Sequence, residues 1–256
     1  MIKNVLKRYM KIKYLLVAFV ALITSCHSQE KVAAKVFEEI ALVNKVEFYD
    51  AKLDQPKFSC GFLLKFKNDT VAVTAKHLLK IIKPDEMKSL SFENTIKKWS
   101  LYSIDQPNAS IITDSLLNEN KSERLADKAT YDNDWLVFSI KENHSKVKVL
   151  EARTTPLILG EKLYVVGWTR KMESGEQRVY EFEYFKTIGN RILLKEIIVP
   201  EQFGGLSGAP LLDANGLVVG IVSNGTVDPE SDKKYFSPCN LKALLSFLET
   251  FPKTKP

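Results

Sequence analysis

The chain has 256 residues, 45% hydrophobic and 27% charged, the balance of a soluble globular protein of one or two domains and not of a disordered, collagenous or multi-span membrane chain. Three cysteines are too few for a disulfide scaffold and too scattered for a zinc knuckle. The formal charge is +6, yet five of the 37 basic residues and none of the 31 acidic ones lie in residues 1–25, leaving 32 against 31 beyond them. No basic surplus remains to grip a phosphate backbone, so nucleic acid drops out as a partner.

The front of the chain reads as an address. Lys3, Lys7, Arg8, Lys11 and Lys13 precede an apolar run from Leu15 to Ile23, which is followed by Thr24, Ser25 and Cys26. Nine apolar residues are too short to span a bilayer as a helix, which takes about 20, and the order is that of a cleaved signal peptide over residues 1–25. Ile23-Thr24-Ser25-Cys26 resembles the bacterial lipobox. That resemblance implies a Cys26 carrying acyl chains such as palmitate, hence a partner in the membrane and a bacterial cell-envelope location. Several buried chains hold far better than one, at about 0.8 kcal/mol per methylene.

Residues 26–54 read as a tether and lead-in ending in a short helix, because Val32, Val36, Ile40 and Val43 recur three or four apart. From there the texture is that of short strands: Cys60–Phe66, Val71–Ala75, Trp135–Ile140, Val147–Leu150, Leu163–Trp168, Val179–Phe185 and Ile192–Val199. Between them, Pro84 to about Lys128 is polar and weakly patterned, and predicts surface loops with one extra strand or helix at most. Asn215-Gly216 stands between two apolar runs and predicts a hairpin. Asn240 can cap a helix whose Leu241, Leu244, Leu245 and Leu248 form one stripe before Pro252 stops it. The body, residues 55–256, therefore reads as all-β with a C-terminal helix.

Three motifs in this body belong together: Thr74-Ala75-Lys76-His77 after a strand, Asp134 opening Trp135-Leu136-Val137-Phe138, and Gly205-Leu206-Ser207-Gly208-Ala209-Pro210. With Cys60-Gly61-Phe62, Val166-Gly167-Trp168 and Gly220-Ile221-Val222-Ser223-Asn224-Gly225 around them, the sequence resembles the chymotrypsin-like (trypsin-like) serine protease superfamily over roughly Phe58 to Phe251. The resemblance implies a double six-stranded β-barrel and hydrolysis of peptide bonds in protein or peptide substrates by an acyl-enzyme route. In it His77 is the base, Asp134 its orienter and Ser207 the nucleophile, in the His, Asp, Ser order of that family.

The chemistry explains the composition of these motifs. A serine hydroxyl needs a base, and the oxyanion formed on attack needs donors, here the backbone N–H groups of Gly205 and Ser207. Asp132, two residues from Asp134, is the rival acid and reads as a turn residue. Gly-x-Ser-x-Gly is broken at Ala209, against an α/β-hydrolase elbow, and three histidines without ligand spacing predict no metal. No cofactor is expected.

The resemblance further implies that Ser223, Asn224 and Gly225 pair with the substrate backbone. It also implies that Glu201, six residues before Ser207, lies at the base of the specificity pocket, where a buried carboxylate would favour Lys or Arg; a solvated loop residue after Pro200 is the other reading. Two departures stand out. Leu206 replaces the acid that pairs with a newly cut N-terminus, and Leu78 replaces the disulfide mate of Cys60, so no disulfide is expected. The alternative function is a catalytically inactive domain of the same fold serving as a binding scaffold.

Overall fold

The computed structural model describes residues 35–172 and 174–251; the signal stretch 1–25 and Cys26 lie outside the described residues. The strands run in chain order β1 (Leu42–Phe48), β2 (Gln55–Phe66), β3 (Asp69–Thr74), β4 (Ser89–Leu90), β5 (Ile96–Ser103), β6 (Gln106–Leu116), β7 (Asn120–Arg124) and β8 (Leu136–Asn143). The second half supplies β9 (Lys162–Gly167), β10 (Arg178–Ile188), β11 (Arg191–Ile198), β12 (Pro210–Leu212), β13 (Val218–Ile221), β14 (Gly225–Val227), β15 (Lys234–Phe236) and β16 (Cys239–Asn240).

Two closed six-stranded barrels result. The first runs β1-β2-β3-β8-β6-β5 and closes on β1; the second runs β10-β9-β12-β13-β16-β11 and closes through β10 on β11. β15 and then β14 continue outward from β11, so β14 is the edge of that sheet. β4 and β7 form a separate two-stranded ribbon.

β2 and β3 are buried on both faces. Leu63 and Ala72 point into the core of the first barrel, while Phe62, Leu64, Val71 and Val73 join the larger apolar cluster shared with Leu163, Val165 and Leu211 of the second. This is why these strands read as unbroken apolar runs and not as alternating ones. The C-terminal helix, Lys242–Thr250, buries Leu244 and Leu248 against the same cluster, and Asn240 Oδ1 accepts from the Lys242 N–H at 3.0 Å.

Three segments differ from the sequence expectation. The lead-in before Asp54 ends in a barrel strand and not in a helix: Leu42, Val43, Val46 and Phe48 are buried in β1, while Val36, which completed the helical spacing, is 84% exposed. The polar stretch from Pro84 supplies two barrel strands and the side ribbon. Its signal was weak because β6 buries chiefly Ile111 and Leu116 and leaves Gln106, Asn108, Asp114 and Ser115 in solvent. Val147–Leu150 is an extended connector, tied to β2 through the Leu150 N–H to Leu63 O and the Lys65 N–H to Leu150 O.

One buried polar residue fastens four strands of the first barrel. Asn44, with no exposed surface, donates from Nδ2 to Phe58 O (3.0 Å), Cys60 O (2.9 Å) and Thr74 Oγ1 (3.2 Å), and its Oδ1 accepts from Trp99 Nε1 (3.0 Å). Replacing it strands carbonyls and an indole N–H in an apolar interior, at about 1–3 kcal/mol for a lost buried partner. Asn44→Leu is therefore expected to lower stability by about 3 kcal/mol in urea denaturation; a loss under about 0.5 kcal/mol would contradict this. Cys60 and Cys239 are free buried thiols, so reducing agent is expected to leave the melting temperature unchanged.

Candidate active site

His77 sits in the short 3-10 turn Lys76–Leu78 that follows β3, at the end of a strand gripped on both faces. Its backbone N–H donates to Asp134 Oδ1 at 2.7 Å, and its Nδ1 lies 2.7 Å from Asp134 Oδ2. Two bonds to one carboxylate fix both the turn and the ring. They make Nδ1 the donor and leave Nε2 as the acceptor.

Asp134 enters β8 with no exposed surface, whereas Asp132 is exposed and does not touch His77. Burial works against ionisation of the Asp134 carboxyl. The hydrogen bonds and charge of His77, with the Ser223 hydroxyl, outweigh it and hold the group below the usual carboxylate range.

Ser207 comes from the second barrel, and its Oγ is 2.8 Å from His77 Nε2. The backbone around it is clamped from both sides: the Cys60 N–H donates to Ser207 O and the Gly208 N–H to Val222 O, each at 2.9 Å. Gly205 (φ 102°) and Gly208 (φ 84°) lie where side chains rarely go, and a Cβ on Gly208 would run into the Cys60 carbonyl and the Thr74 hydroxyl. Among the described residues, neither the Gly205 nor the Ser207 N–H donates to a protein acceptor. Two free donors thus flank the serine hydroxyl.

Behind the carboxylate lies a residue that sequence reasoning missed. Ser223 Oγ donates to Asp134 Oδ2 and accepts from Arg191 Nη1, while Arg191 Nη2 donates to the Tyr131 carbonyl at 2.8 Å. A guanidinium therefore stands one hydroxyl away from Asp134. Nothing in Arg191-Ile192-Leu193-Leu194 announces this, since a cation at the start of a strand reads as solvent-facing. The Tyr131 phenol is pushed up to about 12 by burial and by the charges of Asp134 and Glu123, so it stays neutral.

Lys76, adjacent to His77, is buried but occupied elsewhere: its Nζ pairs with Glu123 Oε1 at 2.6 Å and donates to Thr130 O at 3.0 Å. Asn224 and Gly225 are exposed at the start of the edge strand β14, beside Ser223. Glu201 is not the buried pocket base expected from counting back. It is exposed, on the rim of a cavity it shares with Lys171, Arg178 and Pro200. Two residues on, Phe203 turns inward instead: its ring stacks on Phe236 (4.8 Å between centroids), itself stacked on Phe182 (4.8 Å).

The family model described as Trypsin matches residues 47–241, about three quarters of the sequence. The chain belongs to the trypsin family. No curated protein matches it, but solved structures share its fold at low identity. Neuropsin, a serine protease expressed in the limbic system of mouse brain, aligns at a TM-score of 0.57 and 14% identity over 84% of this chain and 96% of its own. A Glu endopeptidase aligns at 0.55 and 16% over 87% and 93%, and the Rv3671c protease from M. tuberculosis, in its active form, at 0.52 and 14% over 86% and 83%. Set in the trypsin fold, His77 and Asp134 come from one barrel and Ser207 from the other. Leu206 is fully buried in the apolar core.

Removing one partner of a buried ion pair leaves the other charge uncompensated. Glu123→Gln is expected to destabilise the protein by about 2 kcal/mol, and adding Lys76→Met to recover most of the loss. Equal, additive losses in a double-mutant cycle would show that the pair is not coupled.

Proposed function

We infer that this chain is a serine endopeptidase acting on protein or peptide substrates. The observation that carries the reading is the hydrogen-bonded line from Ser207 Oγ to His77 Nε2 (2.8 Å) and from His77 Nδ1 to Asp134 Oδ2 (2.7 Å). His77 Nε2 takes the Ser207 proton as Oγ bonds to the scissile carbonyl carbon, and Asp134 stabilises the imidazolium that forms. The carbonyl oxygen, now an oxyanion, accepts from the free N–H groups of Gly205 and Ser207. His77 then returns its proton to the leaving amine as the C–N bond breaks, which leaves an acyl group on Ser207. Water enters on the same side, gives its proton to His77 and releases the acid, restoring the Ser207 hydroxyl.

The acyl half of the substrate adds as a strand along Ser223-Asn224-Gly225, which leads into β14 at the edge of the sheet. Buried Leu206 supplies no carboxylate to receive a cut N-terminus, so this site does not wait for that switch. The basic stretch, the short apolar run and Ile23-Thr24-Ser25-Cys26 support tethering of the enzyme to the bacterial envelope through acyl chains on Cys26.

A fluorophosphonate probe is expected to label the wild type at Ser207 and not Ser207→Ala; an unlabelled wild type, folded by its melting curve, would favour the inactive scaffold. Arg191→Met should lower kcat about tenfold, the worth of one charge-assisted hydrogen bond, with KM little changed and part of the loss restored in Arg191→Lys. Unchanged kcat in both variants would take Arg191 out of the relay. For the tether, the wild type should partition into detergent and Cys26→Ser should not. Equal partitioning of an uncleaved product would point to a signal anchor instead.

A further inference from the structure

Ser207 is held between two flanks. The Gly208 N–H to Val222 O bond leads on to Ser223 and the open edge of β14; the Cys60 N–H to Ser207 O bond leads back along β2 through Ser59 to Lys57. A peptide whose acyl half lies along Ser223-Asn224-Gly225 crosses Ser207 and sends its leaving half over the β2 flank.

A cavity of about 400 Å³ opens there, lined among others by Lys57, Phe58, Ser59, Trp168, Arg170 and Gly205. Gly205 also carries one of the two free N–H donors, so the cavity adjoins the position of the reacting carbonyl. Its shape is built into the strand. Between Val43, which pairs with Cys60, and Asn44, which pairs with Phe58, the register skips Ser59, and Ser59 has a φ of 52°. Such a bulge bends its strand and re-aims the neighbouring side chains.

The charge of this cavity has one sign. Lys57 and Arg170 line it, and among the described residues no Asp or Glu does. The Lys57 ammonium donates to a neutral acceptor, the Met172 carbonyl. The exposed Arg170 guanidinium has no ion pair or side-chain hydrogen bond among the described residues, although its backbone N–H is fixed on Gly204 O at 2.7 Å. Two uncompensated cations beside the apolar faces of Phe58 and Trp168 attract an anion more strongly than cations in open solvent do.

We propose that this cavity is a carboxylate-selective subsite that receives the first or second residue after the scissile bond, making the protein a peptidase that prefers to cut before acidic segments. The proposal rests on the peptidase reading above. The carboxylate can come from an Asp or Glu side chain or from a substrate's own C-terminus, and both would meet the same two cations.

The test uses the full-length protein in detergent and fluorogenic peptides identical up to the cut. These are followed by Ala-Ala, Glu-Ala, Ala-Glu or Lys-Ala with amidated ends, or by Ala-Ala with a free end. The wild type is expected to show kcat/KM at least about tenfold higher for one of the Glu peptides than for amidated Ala-Ala. A comparable gain for free Ala-Ala alone assigns the cavity to the terminal carboxylate. The acidic-to-neutral ratio should fall to about one in Lys57→Ala/Arg170→Ala and invert in Lys57→Glu/Arg170→Glu, in variants that still label with fluorophosphonate. Cleavage with no carboxylate preference in the wild type, or a preference kept after charge reversal, overturns the subsite and leaves the peptidase reading standing. No cleavage of any peptide together with no labelling of Ser207 overturns the peptidase reading and the subsite with it.

Discussion

Everything at this site depends on a carboxylate with no access to water. Burying Asp134 uncompensated would drive its proton back on; instead each of its oxygens is bonded, Oδ1 by the His77 N–H and Oδ2 by the His77 ring and the Ser223 hydroxyl. Those same bonds determine where His77 stands and which of its nitrogens faces Ser207. Because Asp134 is held ionised below the usual carboxylate range, its contribution to stability is fully present above that range and fades as the pH falls through its depressed value. The ordered imidazole should fade with it at the acid end.

The two-barrel architecture is what brings these groups together. β2 and β3 carry one face into each apolar cluster, so the wall that ends at His77 cannot shift without disturbing both. Asn44 ties the β2 backbone to the Thr74 side chain of β3 beneath the site, and the Cys60 and Thr74 oxygens it touches are those that forbid a side chain on Gly208. Packing, a buried amide and a left-handed glycine thus converge on the placement of one hydroxyl. Arg191 places a charge behind Ser223, one hydroxyl away from the Asp134 carboxylate.

Much of this was legible in the sequence, for reasons that can be named. Strands buried on both faces announce themselves as apolar runs, as Phe62-Leu63-Leu64 and Val71-Ala72-Val73 do, and the closing helix shows its leucine stripe. His77, Asp134 and Ser207 could be singled out as candidates because their order and flanking residues resemble those of the trypsin family. β1 was obscured by an accidental helical spacing, β5 by the buried polar residues Ser100 and Ser103 that interrupt its apolar pattern, and β6 by its solvent-facing residues. Arg191, and the pairing of Lys57 with Arg170 across more than a hundred residues, depend on tertiary neighbours that no local pattern encodes. Counting back to Glu201 gave a position in the chain but not its burial, which the local fold sets and which leaves it exposed.

The central claim is that His77 and Ser207 work as one unit oriented by Asp134, and a kinetic double-mutant cycle tests it most directly. With Ser207→Ala, His77→Ala and the double variant assayed on the same peptide, the account predicts that each single change lowers kcat by several orders of magnitude and that the double variant loses little more than either. Losses that multiply, or a single variant that retains most of the wild-type rate, would contradict it.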